Sequence, residues 1–205
     1  VGIILINVLA TFNAVANTWS MRADIDWKKW APIAAGLIFG AVPGAFVIRA
    51  VSPSVLLVVV GVLLILALSV VTLGKRYVPR VEGVLPAALS GMVGGFMNTL
   101  AGVAGPAITV YSQAARWPQR TYAATLQPIF LCSGAISFLI KEVTGAANLA
   151  SIPVAFWVAA AIGLVVGQVV GTRLAPRVPA AKAHKVALGL AFFGGFTALL
   201  RGLIA

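Results

Sequence analysis

Acidic residues are nearly missing from this chain: 205 residues contain four, Asp24, Asp26, Glu82 and Glu142. All four fall between apolar stretches, so no carboxylate lies inside one to relay protons through a membrane. Histidine and cysteine occur once each, as His184 and Cys132, which excludes a disulfide framework and a Cys/His metal centre. No metal and no cofactor is expected. An intramembrane serine protease needs Gly-x-Ser-Gly and a histidine at depth, but Ser90-Gly91 and Ser133-Gly134 are preceded two residues earlier by Ala88 and Leu131. A phosphate-binding Gly-x-x-x-x-Gly-Lys loop is also missing, so the chain does not hydrolyse ATP itself. The reading is of a protein that is not an enzyme. No cleavable signal pattern opens it either; Val1 leads straight into an apolar run.

What is present is apolar. Hydrophobic residues make up 61% and charged residues 9%, and the mean hydropathy is +1.05, more apolar surface than a soluble fold can bury. A bilayer core needs about 20 apolar residues per helix, and the long Leu/Val/Ile/Ala runs lack the alternation of a β-barrel. The expected class is all-α, a polytopic helical membrane protein. Seven apolar spans are read, one of them broken: about 1–19, 31–49, 54–73, 83–100 with 105–115, 121–140, 152–172 and 185–204. The lipid bilayer is thus a partner. The net charge of +11 is scattered among the joints rather than massed on one face, so no nucleic acid is expected.

A glycine ladder occurs twice, as Gly36, Gly40 and Gly44 and as Gly163, Gly167 and Gly171, at a constant offset of 127 residues. Ala-Ala-Gly-Leu-Ile-Phe-Gly-Ala-Val-Pro-Gly at 34–44 stands against Ala-Ile-Gly-Leu-Val-Val-Gly-Gln-Val-Val-Gly at 161–171, an internal duplication. Small residues four apart let helices approach closely, so both ladders are read as helix-packing faces. If the unit 83–115 leaves and returns to one side of the membrane, one face collects 12 Lys/Arg and the other only Arg49, Lys141 and Arg201. A single crossing by 83–115 gives 8 against 7. The positive-inside rule prefers the first arrangement, with the basic face cytoplasmic. The two copies then run in opposite directions, an inverted repeat with a broken helix or hairpin near the membrane centre. The division is 1–73 for the first repeat, 74–82 for a cytoplasmic linker and 83–205 for the second repeat. The first copy lacks a counterpart of 83–115, so about 40 residues are expected ahead of Val1 from repeat symmetry.

The chemistry is expected at the break. In 91–113, Gly102, Gly105 and Pro106 interrupt a helix within an apolar region, and Pro106 suits the first turn of a new one. Unwound backbone at membrane depth is tolerated where it is buried in protein or lines a cavity. A helix starting there turns free N–H groups and a partial positive charge toward the site, which suits an anion, with Asn98 and Thr99 as neutral donors. The alternative is a glycine-packed kink with no ligand. The glycine-rich unit, the Gly-x-x-Gly-Pro break, the Thr121–Thr125 start of the next span and Ile25-Asp26-Trp27 before the first ladder together resemble the TauE/SafE family of sulfite and organosulfur anion exporters. The likeness covers nearly the whole chain and lacks the family's first glycine-rich segment, and Ala104-Gly105-Pro106 stands where the family often has a Gly-Gly pair before the break. It implies transport of a sulfur-containing oxyanion such as sulfite, sulfoacetate or a sulfonate.

Further polar residues within spans are Asn7 and Thr11, Asn13 and Asn17, and Thr121 and Thr125, each pair four apart on a helix face. Gln127 adjoins Pro128, which frees a backbone carbonyl. The expected substrate-binding set is Asn98, Thr99, Gly102, Gly105, Pro106, Thr125, Gln127 and Asn7. Interhelical glue is the other reading of the asparagines. The expected function is secondary transport of a small anion across the bacterial cytoplasmic membrane in a multi-pass protein; a homo-oligomer stays open. The alternative is a non-transporting membrane subunit or scaffold that binds a partner through its glycine-rich helix faces.

Overall fold

The computed structural model describes residues 2–73, 79–145, 153–174 and 177–204. Among these there are eight α-helices and no strand. They are α1 (Gly2–Ser20), α2 (Trp27–Ala50), α3 (Pro53–Leu73), α4 (Val84–Ala101), α5 (Gly105–Ala114), α6 (Gln119–Val143), α7 (Val154–Leu174) and α8 (Ala180–Ile204), with a short 3-10 turn at Arg22–Asp24. Each apolar stretch of the sequence corresponds to one helix. α2 starts earlier than hydropathy indicates, at Trp27, because the Asp26 side chain accepts a hydrogen bond from the Lys29 N–H at 3.2 Å and caps it. Among the described residues four helices, α2, α4, α6 and α7, are long and apolar enough to cross a membrane. The joint 74–78, with Lys75 and Arg76, lies outside the described residues.

The most extensive contact joins α2 to α4. Ile33, Gly36, Leu37, Gly40, Ala41, Gly44 and Ala45 are the buried residues of α2, spaced at three and four so that they form one stripe. A Cβ added to Gly36 would meet the Ala88 carbonyl and, at 2.9 Å, the Met92 nitrogen; one on Gly40 would meet the Met92 carbonyl and, at 2.9 Å, the Phe96 nitrogen. From the other side, Gly91 lies against Ile33 and Gly95 against Leu37. The two backbones touch, which only glycine permits. The numbers rise together along both helices, so α2 and α4 run parallel.

Two other pairs run antiparallel. In α3 and α8, Gly61 faces Gly195 and Leu199 while Gly202 faces Ser54 and Val58. In α1 and α6, Val8 packs near Phe138, and Asp24, just after α1, pairs with Arg120 at 2.9 Å at the start of α6. α7 differs from all of these. None of its apolar window is buried, and a Cβ on Gly163, Gly167 or Gly171 would meet nothing within 4 Å. The two ladders, alike in sequence, therefore sit in different surroundings: the first is pressed against a neighbouring backbone, and the second faces open space among the described residues.

Candidate functional site at the α4–α5 break

α4 ends because Gly102 takes the left-handed conformation, with φ 72°, and its N–H closes the last turn on the Asn98 carbonyl at 2.8 Å. This glycine C-cap reverses the chain. α5 begins three residues later with Gly105 and Pro106, and no side chain caps its N-terminus. It then folds back along α4. Ala104 and Ile108 lie beside Gly94, each 3.4 Å from where a Cβ would stand, and the Val81 N–H donates to the Ala114 carbonyl at 3.2 Å. The 18 residues of α4 and 10 of α5 correspond to rises of about 27 and about 15 Å, so the hairpin places its turn well away from its two ends.

The predicted residues divide between the break, the α2-facing side of α4, α6 and α1. Asn98, Gly102, Gly105 and Pro106 are at the break. Asn98 is 5% exposed, and one of its two amide N–H donors is committed to the Ser133 carbonyl of α6 at 3.0 Å, so it braces the hairpin against α6. Thr99, next in sequence, points elsewhere: its hydroxyl donates to the Gly95 carbonyl at 2.9 Å, and its Cβ stands 2.9 Å from where a Gly44 Cβ would be. It packs against α2. Thr125 ties the α2 lead-in to α6, its Oγ1 accepting from the Asp26 N–H at 3.1 Å. Gln127 donates to the Ala123 carbonyl of its own helix at 3.3 Å. Asn7 belongs to α1; its side chain lies outside the described residues.

At Gly105 a Cβ would make ordinary contact with Phe130, at 3.6 Å, and φ is not positive. The position at the break that demands glycine is Gly102.

Sequence reasoning missed Thr109 and Tyr122. The Thr109 hydroxyl donates to the Gly105 carbonyl at 2.8 Å and shares a 2.6 Å hydrogen bond with the Tyr122 hydroxyl, joining the first turns of α5 to α6. Thr109, four residues after the break glycine, was the available signal. Lys141 was also missed, because it was assigned to an exposed joint. It is 3% exposed, inside α6.

Two cavities flank the hairpin. One, of about 410 Å3, is apolar and is lined by Leu63, Leu89, Met97, Pro106 and Tyr111 among others. The second, of about 430 Å3, carries Asp26, Lys28, Lys29 and Glu82 together with Trp117 and again Tyr111. Lys29 pairs with Asp26 at 3.1 Å and lies 5.2 Å from the Trp117 ring centre. Partial burial pushes the Asp26 carboxyl up, but hydrogen bonds from the Lys29 side chain and backbone, the Lys29 charge and the Lys28 N–H hold it below its ordinary 3.8. Tyr111 stands between the cavities, its hydroxyl donating to the Gly83 carbonyl at 3.2 Å.

A bundle of apolar helices in glycine-to-backbone contact, several of them long enough to cross a bilayer, is a multi-pass membrane protein. The chain belongs to the sulfite exporter TauE/SafE family, whose model matches residues 1–198. That family comprises transporters, not enzymes. Neither a curated protein nor a solved structure matched the chain.

Proposed function

We propose that this protein exports a small sulfur-containing oxyanion, sulfite or an organosulfonate, across the bacterial cytoplasmic membrane by secondary transport. The observation that carries this reading is the uncapped start of α5, facing the Gly102 turn within an apolar bundle of this family. Such a terminus offers N–H groups and a partial positive charge without a fixed counter-cation, so an anion is held and also released. The charged cavity with Lys28 and Lys29 is the entry from the cytoplasm, and Tyr111 separates it from the cavity beside Pro106.

In this reading residues 1–73 and 83–205 are two inverted repeats joined by a cytoplasmic linker at 74–82, and α4–α5 is the broken element that leaves and re-enters one side. The antiparallel α1–α6 and α3–α8 pairs support the inversion. The return of α5 to Val81 supports the charge count that favours a hairpin over a single crossing. The test is counterflow of radiolabelled sulfite in proteoliposomes, with methanesulfonate, sulfoacetate, acetate and chloride as competitors. Saturable flux competed by the sulfur oxyanions is expected. Absence of flux for every anion would leave a non-transporting membrane subunit as the better description.

A further inference from the structure

α6 carries a polar row that the break does not explain. Thr125, Ser133, Ser137 and Lys141 are all buried, and the last three follow at intervals of four, each step turning by about 40°, so they form a slowly winding row along the second half of the helix. Ser133 provides the carbonyl that holds Asn98, while its own hydroxyl, also buried, has no partner among the described residues. Eight residues further, about 12 Å along the axis, Lys141 is 3% exposed and its Nζ has no hydrogen-bond partner among the described residues. The cluster of Val8, Phe138, Trp157 and Ala160 near this end of α6 is apolar.

An ammonium taken out of water requires an opposite charge or donates its protons to acceptors; left alone it is among the least favourable groups in a protein interior. No acid serves it. Asp24 and Asp26 contact the other end of α6, Glu82 pairs with Arg80 at 3.0 Å, and Glu142 already has a partner without a hydrogen bond to Lys141 Nζ. Resting on the anion-transport reading above, we infer that Lys141 is a binding residue for the transported oxyanion. It forms a second station at the far end of the Ser133–Ser137 row, where the ammonium donates hydrogen bonds to sulfite or sulfonate oxygens. The anion supplies the charge that the fold withholds. A compact ammonium with rotatable donors suits brief binding better than the bidentate fork of arginine.

The experiment is sulfite counterflow in proteoliposomes with wild type, Lys141→Met, Lys141→Gln and Lys141→Arg, together with thermal unfolding of each purified protein with and without methanesulfonate. Both neutral variants should raise the sulfite KM at least about tenfold, the scale of a lost charge-assisted hydrogen bond, with Vmax within about twofold. Lys141→Arg should stay much closer to wild type. Methanesulfonate should raise the unfolding temperature of the wild type more than that of the neutral variants. Wild-type flux with unchanged KM in Lys141→Met or Lys141→Gln overturns this inference and leaves the transport reading standing, and so does a Lys141→Arg variant as impaired as Lys141→Met. If a neutral variant is too unstable for flux, equal methanesulfonate protection of wild type and the other variant overturns it. Absence of flux in the wild type overturns the transport reading itself.

Discussion

Two neighbouring residues of α4, Asn98 and Thr99, show how finely a helix divides its duties. They are about 100° apart around the axis, and one braces α6 while the other fills the space beside Gly44. At the break the demand for glycine lies at Gly102, where a side chain in the left-handed region costs roughly 1–2 kcal/mol. Gly102→Ala should therefore lower the unfolding temperature in detergent by a few degrees, whereas Gly105→Ala should leave it nearly unchanged. Asp26 makes a prediction in pH. Its folded carboxyl titrates below 3.8, so its stabilisation is complete above the unfolded value and is lost as pH falls through the folded one. Asp26→Asn keeps a capping acceptor and should flatten the stability profile below about pH 4. Asp26→Ala loses the cap as well, at about 1 kcal/mol. Thermal unfolding across pH 3–7 checks both.

Between helices, the glycine ladders carry the clearest contrast. Gly40→Ala should reduce folded protein in the membrane sharply, because even one methyl group meets the Met92 backbone. Gly167→Ala should be close to neutral in this chain, where nothing stands within 4 Å. Size-exclusion yield and thermal unfolding of both variants measure the difference. The ladder was legible in sequence because spacing by four is a local signal; which helix it meets was not, since Met92 is 52 residues from Gly40. The break was legible for the same reason, from Gly102, Gly105 and Pro106. The partner of Thr125 was not legible, since it is the Asp26 N–H, 99 residues away. Lys141 was misread because a cation near a span end ordinarily reaches for water, and only the packing around α6 buries it.

For the molecule as a whole, the sidedness of the basic joints yields a direct test. In a Cys132→Ser background, a cysteine at Ser52 should react with an impermeant thiol reagent on intact cells, and one at Arg80 only after the cells are opened; the reverse would reject the inverted arrangement. Production of the chain on the ribosome raises a further matter of timing. α2 and α4 meet backbone to backbone, yet the second of them is made roughly 3–10 s after the first at ordinary elongation rates. During that interval the glycine face of α2 has no α4 to lie on, and lipid tails, α1 and α3 are among the neighbours available to it. The biogenesis of this protein thus contains an obligatory wait, so slowing synthesis between residues 50 and 100 lengthens the period in which the half-made chain is exposed to mispairing and membrane proteolysis.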